Sequence, residues 1–184
     1  MHIAPAVLEQ LATTFEVGPE FLPYKNLLHG LLSFAWDNFF LEAYRCLEQL
    51  YAEPRVSALT SAWASSLSLK EVAALLEQHL SWRPKEDEAL AGLISSCENS
   101  TLSRICGAFD VPFPGDPQSK PGDVAARRIY DLRNNIVHYR PIHASISKLD
   151  DEWNDILGAM LEAVGFVYSR VGQSFFRASS PAQG

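Results

Sequence analysis

The stretch RRIYDLRNNIVHYR, residues 127–140, decides the fold because its apolar residues recur at the three- and four-residue spacing of an α-helix. At about 100° per residue, such a helix presents one face to a core and the opposite face to polar surroundings. The predicted core face comprises Ala125, Ile129, Leu132, Ile136 and Tyr139. The predicted opposite face comprises Arg127, Asp131, Asn134 and His138. The stretch therefore predicts an amphipathic helix with more polar groups at its end than packing alone requires.

The boundaries of this helix are predicted from its flanking residues. Asp123 is a good N-cap, and Pro141 cannot continue a helix, so we expect the helix to span residues 124–139. Four prolines and two glycines in residues 111–122 predict an irregular connector directly before it.

The rest of the chain also predicts helices. No segment shows sustained apolar and polar alternation, and no Asn-Gly or Asp-Gly turn separates β-branched runs. We expect a short helix over residues 3–15 and a long core helix with an apolar stripe over residues 27–50, ended by Pro54. The predicted fold class is all-α.

Shorter packing helices are expected between Pro54 and Phe109, one of them starting with a capping box formed by Ser68 and Glu71. A last long helix is expected over residues 149–176. Together these segments predict a bundle of about five to seven helices. The length favours a single domain over residues 1–184, with an N-terminal helix and turn in residues 1–20 and a flexible tail in residues 177–184.

Composition restricts the possible partners and location. The net charge of −7 argues against nonspecific capture of nucleic acid by the whole surface, so any RNA contact should be local. Three cysteines without CxxC spacing favour a reducing compartment. We find no signal peptide, and charged residues interrupt the most apolar segment, so we predict a cytoplasmic protein with no membrane contact.

Arg133, Asn134 and His138 are the candidate catalytic residues, because the helical spacing brings them to one helix end. A histidine can move a proton near neutral pH, and an arginine can bind a phosphate and stabilise its developing charge. Asn134 would orient His138 or the phosphate. The five histidines are scattered and no carboxylate cluster accompanies them, so we predict neither a metal site nor a cofactor. This chemistry predicts RNA as the substrate, cut through its 2′-hydroxyl.

The sequence RNNIVH, residues 133–138, resembles the motif of HEPN domains, in which an arginine, often followed by asparagine, precedes a histidine by a few residues. Residues 40–51 are similar to the long helix of the ApeA-like branch of that superfamily. The resemblance implies a helical bundle that dimerises through the motif helices and cuts RNA in a composite cleft, typically in bacterial antiviral or toxin–antitoxin systems. It also implies that Glu48 supports Arg133, and Val137 fits a residue at the two-fold contact.

Several alternatives remain open. The polar face of the motif helix could be an ordinary solvated surface, and Glu48 could be an ordinary partner of Arg45 or of a neighbouring helix. Arg127, Arg128 and Arg140 are candidates for an RNA-binding rim, but exposed helix arginines are commonly plain solvated charges. The alternative function is a noncatalytic HEPN adaptor or regulatory subunit that binds a partner protein, such as an antitoxin or a larger defence effector.

Overall fold

The computed structural model of the chain describes residues 1–62, 67–114, 120–138 and 148–177. Within these ranges the regular secondary structure is entirely helical, which confirms the all-α prediction. The ten α-helical segments exceed the five to seven predicted. They are α1 (Pro5–Val17), α2 (Tyr24–Leu32), α3 (Trp36–Glu48), α4 (Glu53–Ala62), α5 (Leu69–Leu80), α6 (Glu86–Ile94), α7 (Asn99–Ala108), α8 (Pro121–Val137), α9 (Asp150–Val167) and α10 (Gln173–Phe176).

The prediction of one long helix over residues 27–50 is wrong, because this segment forms α2 and α3. The break centres on Phe34, whose φ of 55° is left-handed and incompatible with a continuing α-helix. Ser33 Oγ donates a hydrogen bond to the Gly30 carbonyl at 2.7 Å and satisfies one carbonyl at the end of α2. A Cβ on Gly30 would lie 2.5 Å from Cδ2 of Phe39, so the missing side chain lets α2 pack closely on α3. The apolar stripe therefore continues across two helices that pack against each other.

Pro54 does not end the preceding helix, since α3 already stops at Glu48 and Pro54 lies in the first turn of α4. A proline is tolerated there because the first turn has no intrahelical acceptors for its N–H groups. The capping box of α5 is confirmed: Glu71 N–H donates to Ser68 Oγ at 3.3 Å, and Ser68 N–H donates to a Glu71 carboxylate oxygen at 2.8 Å.

The motif helix, α8, begins earlier than predicted. Lys120 is its N-cap, Pro121 occupies the first helical position and Asp123 lies in the first turn, so Asp123 is not the N-cap. The fixed φ of proline suits the first helical position, which explains the earlier start. Residues 111–114 are non-helical as predicted, whereas Pro121 and Gly122 belong to α8 and not to the connector. The helix ends at Val137 with a non-helical His138 as C-cap, two residues before the predicted end at residue 139, and Pro141 lies outside the described residues.

The core lies around α9, which buries side chains along most of its length because it has helices on several sides. The predicted last helix is confirmed: a π-helical turn, Tyr168–Gly172, joins α9 to α10. Tyr168 Oη donates to the Cys46 carbonyl at 2.8 Å and ties this turn to α3. Cys46, Cys97 and Cys106 are buried and form no disulfide. Of the predicted tail, only Arg177 is described, and it pairs with Glu20 at 2.7 Å.

In the described ranges, no helix combines the length and the apolar character needed to cross a membrane.

The packing of α8 against α6 depends on Gly122, which is buried at the start of α8. A Cβ there would lie 2.2 Å from Oγ and 2.5 Å from Cα of Ser95, at the end of α6. Because the backbone of Ser95 is one of the obstacles, a rotamer change cannot remove the overlap. We expect Gly122→Ala to lower the free energy of unfolding by about 1–3 kcal/mol, measured by urea denaturation.

Gly107→Ala is the matched control, because Gly107 is also helical but a Cβ there meets no atom within 4 Å. We expect this variant to raise the free energy of unfolding by about 0.5–1 kcal/mol through helix propensity alone. Equal effects of the two substitutions would contradict the close approach of α6 and α8.

Candidate functional site

The C-terminal end of α8 forms one side of an open cleft of about 590 Å³. The three predicted catalytic residues all line this cleft. Among the described residues, the lining comprises Glu86, Tyr130, Arg133, Asn134, Asn135, Val137 and His138. The structure therefore brings Arg133, Asn134 and His138 together, and it adds a carboxylate from the start of α6.

The predicted faces of α8 are confirmed where the structure describes them. Ala125, Ile129 and Leu132 are buried, and Ile136 packs against the core while partly exposed. The opposite side carries the exposed residues Arg127, Asp131 and His138, with Asn134 half-buried. Tyr139, predicted for the core face, lies outside the described residues.

Arg133 is the most constrained residue of the cleft, with only 17% of its side chain exposed. Its Nη1 donates a hydrogen bond to Asn134 Oδ1 at 3.0 Å. Its Nη2 lies 3.6 Å from Glu86 Oε2 and 3.7 Å from Glu48 Oε1. Asn134 therefore orients the guanidinium, whereas its predicted role, to orient His138 or the phosphate, stays a prediction. The guanidinium is held between α3 and α6.

A buried tyrosine pair lies beneath this guanidinium. The guanidinium carbon of Arg133 lies 5.8 Å from the ring centroid of Tyr44, within the range of a cation–π contact. Tyr51 Oη donates to Tyr44 Oη at 2.6 Å. Burial raises the pKa of Tyr44 to about 12 and also raises the pKa of Tyr51, so both phenols stay protonated at neutral pH. The guanidinium is thus packed on a neutral aromatic pair that does not itself line the cleft.

Glu48 takes the position that the sequence analysis expected of a supporting carboxylate, although its role in function stays a prediction. Burial raises the pKa of Glu48, nearby Glu86 raises it further, and Arg133 opposes both by attraction. The alternative pairing with Arg45 does not form, because Arg45 makes its ion pair with Glu42. Glu48 therefore contacts Arg133 and stays partly desolvated.

His138 follows the last residue of α8 as its C-cap, with φ −103° and ψ 64°. Its backbone N–H donates to the Asn134 carbonyl at 2.8 Å, which fixes the main chain but leaves the exposed imidazole on the cleft. Val137, 47% exposed, lies beside it. An apolar side chain thus remains uncovered next to the candidate histidine.

Of the three arginines predicted as an RNA-binding rim, the two that the structure describes do not line the cleft. Arg127 lines a neighbouring cleft of about 750 Å³, together with Asp87, Glu88 and Asp123. Arg128 is exposed and lines neither of these two clefts, and Arg140 lies outside the described residues. Tyr130 lines both clefts. The acidic side chains around Arg127 repel phosphate, which argues against Arg127 as a phosphate contact.

Sequence reasoning missed Glu86, which lies 47 positions before Arg133 and meets it only in the folded chain. The available signal was the acidic run Glu86-Asp87-Glu88, which marks the first turn of a helix. Among the aromatic residues of α3, Phe39, Phe40 and Tyr44 are buried in the core, and Trp36 packs against it while partly exposed. Nowhere in the described ranges do three or more His, Cys, Asp or Glu side chains form a group that could hold a metal ion.

The raised pKa of Glu48 predicts how stability depends on pH. The folded protein holds the Glu48 proton more tightly than the unfolded chain does. The protonated Glu48 therefore contributes to the free energy of unfolding below the ordinary pKa of a glutamate, and this contribution is lost as pH rises through the raised pKa. Glu48→Gln abolishes this titration. We expect the Tm of the variant, relative to wild type, to increase as pH rises from about 4 to about 7.

The measurement is thermal unfolding followed by circular dichroism across that pH range. Glu9→Gln is the control, since Glu9 is an exposed glutamate on α1 away from the cleft. If the relative Tm of Glu48→Gln instead fell with rising pH, attraction to Arg133 would outweigh burial.

Comparisons of the chain with models of protein families, with curated proteins and with solved structures found no match. The resemblance to HEPN domains therefore rests on the motif residues, and the functional argument rests on the geometry of the cleft.

Proposed function

We propose that this chain is a metal-independent endoribonuclease of the HEPN type, which acts as a homodimer through a composite site. The observation that supports this most is the guanidinium of Arg133, only 17% exposed and held in place, in the same cleft as Asn134 and His138. The proposed setting, a bacterial antiviral or toxin–antitoxin system, comes from the motif resemblance alone, whereas the proposed cytoplasmic location comes from the sequence composition.

In the proposed reaction, His138 removes the proton from a ribose 2′-hydroxyl. The 2′-oxygen then bonds to the adjacent phosphorus, the bond from phosphorus to the 5′-oxygen breaks, and that oxygen leaves with a proton donated by the second His138 of the dimer. The products are a 2′,3′-cyclic phosphate and a 5′-hydroxyl. Arg133 stabilises the charge on the non-bridging oxygens, and Asn134 orients Arg133 through the hydrogen bond to Nη1.

One copy of the chain contributes one histidine, His138, to the described lining of the cleft, whereas the proposed reaction uses both an acid and a base. We therefore propose a two-fold contact that brings two copies of His138 together. Val137 supports this arrangement, since it is an exposed apolar residue on the rim of the same cleft. An isologous contact would bury it against its own copy.

A specific observation also favours the alternative function, a noncatalytic adaptor or regulatory subunit that binds a partner protein. Arg133 already has two carboxylates within 3.7 Å, so its charge is largely compensated before any substrate arrives. The net charge of −7 also favours the adaptor, because it repels RNA at long range. In this alternative, the cleft would bind an antitoxin or a larger defence effector.

Cleavage of end-labelled RNA in EDTA tests the ribonuclease. We expect wild type to yield 2′,3′-cyclic phosphate ends, and His138→Ala and Arg133→Ala to lose about 10²–10⁴-fold in rate, since each removes a group that acts in the transition state. His29→Ala is the control, because His29 is an exposed histidine on α2 that does not line the cleft.

Absence of wild-type cleavage on structured and unstructured RNA would reject the enzyme and favour the adaptor. An activity that survives His138→Ala would show that the cleaving group lies elsewhere.

Val137→Glu tests the two-fold contact. We expect this variant to be monomeric in light scattering at concentrations where wild type is a dimer, because two glutamates would face each other across the axis. Leu8→Glu is the control: Leu8 is 44% exposed, close to the 47% of Val137, but it lies on α1. A Val137→Glu protein that remains dimeric would place the interface on another surface.

A further inference from the structure

Glu86 occupies the cleft side of the candidate phosphate-binding group. Its Oε2 lies 3.6 Å from Nη2 of Arg133, and its side chain lines the cleft. Glu48 approaches the same nitrogen at 3.7 Å but is not part of the cleft lining. Arg133 therefore lies between two carboxylates, Glu86 on the side of the cleft and Glu48 on the side away from it.

The first turn of α6 carries three acidic residues, and they differ in their partners. Glu88 forms ion pairs with Arg55 at 2.6 Å and with Lys85 at 3.0 Å. Asp87 accepts a hydrogen bond from the Glu88 N–H at 2.9 Å. Glu86 is the member of this run that reaches Arg133. Removal of the Glu86 charge therefore acts on the cleft, whereas removal of the Asp87 charge leaves Arg133 and its partners in place.

Both contacts to Nη2 are looser than hydrogen bonds. Distances of 3.6 and 3.7 Å lie beyond the usual range of about 2.7–3.2 Å for N–H···O bonds. A phosphate can accept two short hydrogen bonds from a guanidinium, an arrangement stronger than a loose ion pair. A phosphate could thus displace one of the carboxylates at Arg133.

The charges of Arg133, Glu48 and Glu86 sum to −1 when all three groups are ionised. An approaching phosphodiester therefore meets net repulsion until one carboxylate withdraws. Glu86 is the more accessible of the two, with 45% of its side chain exposed against 33% for Glu48. The exposed side chain of Glu86 can turn into solvent, where water hydrates the carboxylate in place of Arg133.

We propose that Glu86 sets the affinity of the cleft for RNA by competing with the phosphodiester for Arg133. This inference rests on the proposed function, because it takes RNA as the molecule that enters the cleft. It assigns Glu86 as an affinity-determining residue that acts through Arg133. Glu48 remains the carboxylate that holds the guanidinium from the side of α3.

Binding of RNA without cleavage tests this role. The background is His138→Ala, and the probe is a fluorescein-labelled single-stranded RNA of mixed sequence, titrated by fluorescence anisotropy at several salt concentrations. We expect E86Q in this background to lower Kd roughly fivefold, because the phosphodiester no longer has to displace a carboxylate from Arg133. We also expect the salt dependence of log Kd to steepen by about 0.7, as one more phosphate contact forms.

Asp87→Asn is the matched control, since it removes the same charge one position along the same helix turn and should leave the salt dependence unchanged. Arg133→Ala provides the second comparison: in that background E86Q should have no effect on Kd, because Glu86 has nothing left to compete for. Equal gains from E86Q and Asp87→Asn would indicate a general charge effect and overturn the proposal. An E86Q protein that fails to bind RNA would also overturn it.

Cleavage by variants that retain His138 separates the two proposals. If wild type cuts RNA and E86Q shows no gain in affinity, the role of Glu86 is wrong and the ribonuclease stands. If wild type does not cut RNA but E86Q binds it more tightly through Arg133, the role of Glu86 stands and the ribonuclease is wrong.

Discussion

The close packing of α8 on α6 is the constraint on which the cleft depends. Small buried residues, Gly122, Ala125 and Ala126, lie in the first part of α8, and Gly122 contacts Ser95 at the end of α6. At the other end, Arg133 meets Glu86 at the start of α6. The two helices are therefore antiparallel, and eleven residues of α8, about 16 Å at 1.5 Å per residue, separate the two contacts. A change in spacing at Gly122 would move Arg133 relative to its partners.

The second constraint is the burial of a charge. A guanidinium that is only 17% exposed requires compensation, and this site provides two carboxylates, an amide oxygen and an aromatic face. These partners come from α3, α6 and α8, so a single side chain links three helices. The arrangement orients Arg133 well, but it also neutralises the charge that a substrate would use. Stability and substrate affinity therefore oppose each other at Glu86.

The sequence predicts what local periodicity controls. The faces of α8 follow from helical spacing, and the positions of Ile129 and Leu132 on one side and Asn134 and His138 on the other need no tertiary information. The break between α2 and α3 could not be predicted this way, because the apolar stripe continues across it and the break holds neither glycine nor proline. A left-handed Phe34 carries no signal in the sequence.

Contacts between distant segments were likewise beyond the sequence. In the sequence, nothing distinguishes Glu86 from the neighbouring Asp87 and Glu88. Only the packing of α6 against α8 brings Glu86, and not its neighbours, to Arg133. The start of α8 was predicted wrongly for a different reason. Asp123 is a better N-cap than Lys120 by residue type, yet Pro121 fits the first helical position, so the helix begins before Asp123.

The co-location of Arg133, Asn134 and His138 is weak evidence for function, because helical spacing alone would produce it. The burial of Arg133 is stronger evidence. A solvated surface helix has no need to bury an arginine and to desolvate part of Glu48, since exposed ion pairs contribute little to stability. The structure therefore disfavours the plain surface helix that the sequence left open. The ribonuclease and the adaptor both use a positioned guanidinium, and they differ in the group that displaces Glu86: an RNA phosphate in one, a carboxylate of a partner protein in the other.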